Sequence, residues 1–140
     1  MKVLLAADGS KYTKKALAFL VNHESLSNTT DELFVMNVQL PLPGGVKTMV
    51  GSSEVAAHHR EEGAKVLDPI KKFLDKHGLK YRAVTVVGHP VEEILKAADK
   101  QKSHLIVMGT RGHGLIGRAL MGSIAQRVVT ECAIPVLLVK

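Results

Sequence analysis

Residues 104–123 read HLIVMGTRGHGLIGRALMGS, an apolar run followed by a long glycine-rich stretch. The run His104–Met108 has the length and composition of a buried strand. Five glycines then fall within residues 109–122, and packing alone does not explain so many. A helix is expected to follow at about 123–131. A buried strand, a glycine loop and a helix in this order predict an α/β fold.

The same alternation extends outward from this stretch over the whole chain. Apolar runs predict five strands: Lys2–Ala7, Leu33–Leu40, Tyr81–Val87, His104–Met108 and Pro135–Val139. Apolar residues at helical spacing predict helices between them, at 11–23, about 52–77, about 90–102 and about 123–131. This alternation predicts a single doubly wound, Rossmann-like domain over residues 1–140, with a parallel sheet covered on both faces. Ligands of such sheets bind beyond the carboxyl ends of the strands.

Two of the segments that join strands to helices contain residues that predict their local structure. After the first strand, Ser10 or Asp8 is expected to cap the helix, and Ser10 suits a cap better than a ligand. The stretch 41–52 contains two prolines and paired glycines, which predicts a mobile loop. Ser52 and Ser53 are the expected N-caps of the long helix that follows.

The glycine loop 109–122 has the features of an anion-binding site. Glycine lets a ligand approach the main chain closely, and successive N–H groups can point at one anion. Gly122 and Ser123 open a helix, whose unpaired N–H groups and positive end favour phosphate. The Ser123 hydroxyl and the charge of Arg111 or Arg118 can add to this. The alternative is that the glycines only build a long, flexible loop.

Composition narrows the classes of partner. The chain has 140 residues, a net charge of +6 and only 4% aromatic residues, with no Trp. Single-stranded nucleic-acid binders rely on aromatic stacking, so that class is not favoured. Cys132 is the single cysteine, which fits a reducing compartment. No signal peptide and no apolar stretch of roughly 20 residues are present, so a cytoplasmic protein without a membrane span is expected.

These pieces together resemble the universal stress protein family, and specifically its ATP-binding branch. The hallmark spacing of that branch, G-x2-G-x9-G-S/T, is matched by Gly109, Gly112, Gly122 and Ser123. Four further pieces resemble family signatures: VLLAADGS at 3–10, GHPVEEI at 88–94, HLIVMGTRGHG at 104–114 and IPVLLVK at 134–140. The resemblance therefore covers the whole chain.

The resemblance implies a fold and a site. The family has a five-stranded parallel sheet in the order 3-2-1-4-5, which places Asp8 opposite the glycine loop at the switch point. By the same resemblance Asp8 lies beside the ribose and any metal, and Mg²⁺ is expected because it binds through phosphates and one or two carboxylates. The remaining residues carried over are Ala6, Ala7 and the backbone of Val38 at the adenine, Met108 beneath the loop, and Gly109, Gly112, Gly122 and Ser123 at the phosphates.

The function implied is ATP binding as a regulatory switch in a stress response. A slow ATP hydrolase is kept as an alternative, although no Asp or Glu falls in 109–123 and no Ser/His/Asp set is visible. An interaction module without nucleotide is a further alternative, and the intact glycine spacing speaks against it. Family members usually dimerise through the last strand, so a homodimer through Pro135–Val139 is expected, since an apolar open edge is a template for pairing.

Overall fold

Five parallel strands form one sheet in the computed structural model, which describes residues 1–113 and 121–140. The order along the sheet is β3-β2-β1-β4-β5, so the expected order 3-2-1-4-5 is confirmed. The strands span Lys2–Ala6 (β1), Glu32–Gln39 (β2), Tyr81–Val87 (β3), Leu105–Gly109 (β4) and Val136–Val139 (β5).

Helices connect the strands and cover both faces of the sheet. They span Lys11–Asn22 (α1), Glu24–Ser27 (α2), Gly44–Val50 (α3), Ser52–Lys76 (α4), Pro90–Lys100 (α5) and Ser123–Glu131 (α6). Within residues 1–113 and 121–140, no helix is both long and apolar enough to cross a membrane.

Successive side chains of each strand enter two separate hydrophobic layers. Leu5 of β1 joins the layer built with α1 and α4, while its neighbour Leu4 joins the layer built with α5 and α6. This alternation follows from the two-residue period of a strand. Because helices cover both faces of the sheet, the central strands β1 and β4 consist almost entirely of apolar residues, which makes them recognisable in the sequence.

The structure corrects the expected loop over 41–52. Residues 44–50 form helix α3, which begins after Pro43 and packs against α4. Proline suits a helix start because its missing N–H has no partner there in any case. The expected caps Ser52 and Ser53 already lie inside α4, and Gly51 at φ +88° is the N-cap residue instead. Glycine adopts this conformation at no steric cost, which allows the sharp turn between α3 and α4.

The first helix begins as expected. The hydroxyl oxygen of Ser10 accepts a hydrogen bond from the backbone N–H of Thr13 at 3.4 Å, so Ser10 is confirmed as the cap of α1. Helix α2 is not predicted from the sequence, because it is a single turn without a buried residue.

Candidate functional site

A cavity of about 360 Å³ lies at the carboxyl ends of β1, β2 and β4. These are the strands on either side of the switch point, where sheets of this type bind ligands. The structure brings all ten predicted site residues to its walls: Ala6, Ala7, Asp8, Val38, Met108, Gly109, Arg111, Gly112, Gly122 and Ser123. Their roles toward a ligand stay predictions. Arg118, the other cation considered at the loop, lies outside the described residues.

One end of the cavity is apolar. Met36 and Met108 are almost fully buried there, and Val38, Ile94 and Ala6 complete the surface. Met36 and Ile94 were not predicted as site residues, because at the sequence level they belong to ordinary apolar stripes. This end offers aliphatic contact surface to a flat, apolar group.

The backbone of β2 extends past the end of β1 at this apolar end. The Met36 carbonyl accepts from Ala7 N–H at 2.8 Å on the β1 side, and the Gln39 carbonyl accepts from Gly88 N–H at 2.9 Å on the β3 side. Backbone groups of a parallel strand alternate between its two neighbours. Val38 therefore directs its N–H and C=O toward the β1 side, beyond the last residue of β1. This gives the cavity one main-chain donor and one main-chain acceptor side by side.

The carboxylate of Asp8 is held in a fixed orientation. Its Oδ1 accepts from Ser10 N–H at 2.9 Å and from the Thr13 hydroxyl at 2.8 Å. The same Thr13 oxygen accepts from the Asp8 N–H at 3.0 Å. With both donors on Oδ1, the other oxygen, Oδ2, points at Gly112, where a Cβ would overlap it. Thr13 thus positions Asp8, a role that sequence reasoning missed.

A buried amide fixes the backbone just before Asp8. Asn37 is 2% exposed, and its Nδ2 donates to the Ala7 carbonyl at 2.9 Å. Its Oδ1 accepts from Gln39 Nε2 at 2.8 Å. The sequence signal for this role is a polar residue inside an otherwise apolar strand, which requires a buried partner.

The two ends of the glycine loop are tied to the sheet and to each other. Thr110 N–H donates to the Val139 carbonyl at 2.9 Å, and Gly122 N–H donates to the Thr110 carbonyl at 2.7 Å. From within the loop, His113 reaches back so that its Nε2 lies 2.8 Å from the Asp8 carbonyl oxygen. These contacts hold the described part of the loop against the turn after β1.

The amino end of α6 lies at the cavity, and the N–H groups of its first turn have no acceptor within the helix. Gln126 is the first residue of the helix to bond back to Gly122, at 3.0 Å, and no side chain caps the helix start. Ser123, Ile124 and Ala125 precede it, and all three line the cavity. N–H groups of a first helical turn have no acceptor within the helix, and together with the helix dipole they favour an anion.

An ion pair joins the two helices that begin at the cavity. Arg127 of α6 contacts Glu92 of α5 at 2.9 Å and Glu131 at 3.0 Å. The pKa of Glu92 is lowered, first by a hydrogen bond from its own backbone N–H and then by the hydrogen bond from Arg127. The pair links α5 and α6 at the protein surface, where both side chains are exposed.

The described residues contain no group of three or more His, Cys, Asp or Glu side chains that could hold a metal ion by themselves. Asp8 is the carboxylate among the described lining residues. A single carboxylate at the cavity wall suits Mg²⁺, which takes most of its other ligands from phosphates and water.

Comparison with known proteins gives a consistent assignment. A model of the universal stress protein family matches residues 1–140. A universal stress protein of Thermus aquaticus, encoded in the 3′ region of the QAH/OAS sulfhydrylase, is 37% identical over 99% of this chain and 97% of its own length.

Solved structures agree with this comparison. The structure of protein MJ0577 of Methanocaldococcus jannaschii is similar with a TM-score of 0.84 at 28% identity, over 99% of this chain and 94% of that one. The universal stress protein of Archaeoglobus fulgidus, solved in complex with dAMP, shares the fold with a TM-score of 0.68 at 24% identity, over 100% of this chain and 98% of that one. This chain therefore belongs to the universal stress protein family.

Proposed function

We propose that this chain binds ATP with Mg²⁺ in the cavity and acts as a nucleotide-dependent switch in a stress response. The observation that carries the proposal is the layout of the cavity. A main-chain donor–acceptor pair lies at its apolar end, and unpaired helix N–H groups lie at its glycine-loop end. A relative of the same fold was solved with dAMP, an adenine nucleotide.

The apolar end supports an adenine ring. The Val38 N–H matches the acceptor N1 of adenine, and the Val38 carbonyl matches the amino group on C6. Guanine carries a donor at N1 and an acceptor at C6, so it would leave both backbone groups unpaired. Buried polar groups without partners are costly, and this cost supports selectivity for adenine.

The glycine-loop end of the cavity has the main-chain groups that suit phosphates. Gly109 and Gly112 expose main chain, and the first turn of α6 beyond Gly122 adds unpaired N–H groups. Asp8 Oδ2 and the phosphates would together hold Mg²⁺, which neutralises the charge between them. Arg111 adds a positive charge to the same wall.

We also propose that two copies pair through β5 and that the protein works in the cytoplasm. Val136–Val139 is half-buried at the edge of the sheet, and an apolar edge is a template for a second strand. The single Cys132 fits a reducing compartment. Elution at the mass of one 15.1 kDa chain at micromolar concentration would contradict the dimer.

Calorimetric titration of nucleotide-stripped protein with ATP and Mg²⁺ tests the central proposal, followed by an assay of the same mixture for ADP over hours. Micromolar binding with intact ATP supports a switch. Binding with steady release of ADP would instead assign a hydrolase. No heat at millimolar ATP would overturn the proposal.

A variant locates the site. Gly122 has an extended backbone at φ −76°, which valine also adopts, so Gly122→Val should fold. Its side chain would stand at the start of α6, and ATP affinity should fall by more than about tenfold because the phosphates lose main-chain contacts. Gly45→Ala, in α3 with open space around it, is the matched control and should bind like the parent.

A further inference from the structure

Three cations gather on the ring of one buried tyrosine. Tyr12 is 7% exposed, and its ring centroid lies 5.3 Å from Lys11 Nζ, 5.7 Å from Lys15 Nζ and 4.9 Å from Arg111 Cζ. Lys11 and Lys15 belong to α1, whereas Arg111 comes from the glycine loop. We call these four residues the Tyr12 cation shelf.

The two lysines of the shelf lie one helical turn apart on α1, where like charges repel each other. The first turn of α1 contains no acidic residue to offset this repulsion. The amino end of a helix is itself positive, so the helix dipole also disfavours the charge of Lys11 in the first turn of α1. In residues 1–113 and 121–140 no ion pair involves Lys11 or Lys15. Contact with the tyrosine ring compensates this repulsion only in part.

The shelf adjoins the cavity where the glycine loop begins. Gly109 packs so closely on Tyr12 that a Cβ on the glycine would overlap the tyrosine Cβ. Arg111 lines the cavity and also covers the tyrosine ring, so it spans the two. The opposite, apolar end of the cavity holds Val38. A nucleotide with its base at Val38 and its phosphates at the loop therefore runs toward the shelf.

We propose that the Tyr12 cation shelf binds the terminal phosphates of the nucleotide and makes the site prefer a nucleoside triphosphate over a monophosphate. This inference rests on the proposed function, because it assigns the phosphate-chain length at that same site. A monophosphate is held by the first turn of α6 and the loop glycines, and it ends before the lysines. Each added phosphate brings negative charge closer to Lys11 and Lys15, and the repulsion between these two lysines is relieved.

The test compares three ligands on two proteins. The parent and the double variant Lys11→Gln/Lys15→Gln are titrated with ATP, AMP and inorganic tripolyphosphate at fixed Mg²⁺. Affinity for ATP and for tripolyphosphate should fall by about tenfold in the variant, because two charged contacts are lost. Affinity for AMP should stay within about twofold, since only a long-range effect is removed. The salt dependence of ATP binding should also become shallower.

Lys14→Gln is the matched control. Lys14 is exposed in the same turn, but it lies roughly 200° around the helix from Tyr12. It carries the same charge and should leave the ratio of ATP to AMP affinity unchanged. A fall of about threefold in that ratio, half the expected change of the double variant on a logarithmic scale, would overturn the shelf, because the loss of net charge alone would then explain the effect.

The outcomes separate this inference from the proposed function. If the parent binds ATP and the double variant keeps the parent's ratio of ATP to AMP affinity, the shelf is wrong and nucleotide binding stands. If the parent binds tripolyphosphate through Lys11 and Lys15 but no nucleotide, the proposed function is wrong and the shelf stands as a polyphosphate site. If the parent binds neither ligand, both are overturned.

Discussion

Asp8 and Gly112 meet across the switch point so closely that the carboxylate occupies the space of a side chain on Gly112. Gly112→Ala should therefore displace the Asp8 carboxylate or the loop. We predict that affinity for ATP with Mg²⁺ falls by about tenfold, because Oδ2 and the loop main chain no longer face the same ligand. Calorimetry measures the change, and circular dichroism checks that the fold is kept.

A double-mutant cycle isolates this contact. In the Asp8→Ala background the overlap is gone, so Gly112→Ala should cost much less than it does in the parent. An equal cost in both backgrounds would show that the glycine serves the ligand or the loop and not the carboxylate.

Asn37→Leu should destabilise the protein although leucine suits a buried strand. The change leaves the buried Ala7 carbonyl without its donor and the half-buried Gln39 amide without its acceptor. We predict a loss of about 1–3 kcal/mol in the free energy of unfolding, measured by urea denaturation. Gln39→Leu removes only the outer hydrogen bond of the chain and should cost less. A neutral Asn37→Leu would contradict the assigned network.

Gly63→Ala should also destabilise the fold, against the preference of helices for alanine. A Cβ at Gly63 in α4 would overlap the side chain of Thr85 in β3. Overpacking costs about 1–3 kcal/mol, which outweighs the gain of about 1 kcal/mol in helix propensity. Thermal denaturation of Gly63→Ala should therefore show a lower midpoint. Adding Thr85→Ala makes room and should restore part of the loss, and no rescue would mean that α4 and β3 lie further apart.

The ion pair between Glu92 and Arg127 predicts a pH dependence. The pKa of Glu92 is lowered by a hydrogen bond from its own backbone N–H and by Arg127, so its charged form is favoured in the folded protein. The stabilisation is present above the usual value of 4.5 and is lost as the pH falls through the lower, folded pKa. The stability difference between the parent and Glu92→Gln should thus shrink to nothing in acid. An NMR titration of the Glu92 carboxyl should show its pKa rising in Arg127→Gln, though not fully, since the backbone hydrogen bond remains.

Much of the sheet could be predicted from sequence because both of its faces carry hydrophobic layers, so its strands are rich in apolar residues. Each strand was placed within about a residue, and the alternation with helices gave the parallel architecture. The strand order came from the family resemblance, since no local pattern encodes it. Helix α3 was missed because Pro41, Pro43 and the paired glycines are usual loop residues, and none of its side chains is buried. Its contact with α4 is tertiary and leaves no trace in the local pattern.

Some residues of the candidate site could likewise be predicted from the sequence, and others could not. The glycine spacing and Asp8 were visible, because backbone exposure and a strand-end carboxylate have sequence signatures. Tyr12 lies among the apolar residues of α1 in the sequence, and only the fold brings the guanidinium of Arg111 to its ring. Asn37 stands out as a polar residue in an apolar strand, but its partner Ala7 lies in another strand and could not be predicted. Thr13 contacts Asp8 within the turn that leads into α1, and a threonine in a first helical turn has no distinctive sequence signal.

The shortness of β1 relative to β2 has an evolutionary consequence. If the base is read by the main chain of Val38, its identity is encoded in the relative lengths of two strands and not in any side chain. Substitutions around it can reshape the pocket, but they cannot exchange donor for acceptor. Sliding β2 by one residue would turn Val38 away and invert its core-facing side chains. The preference for adenine would then depend on the same register of β2 that forms the hydrophobic core. Related proteins that differ widely in sequence would therefore keep this preference.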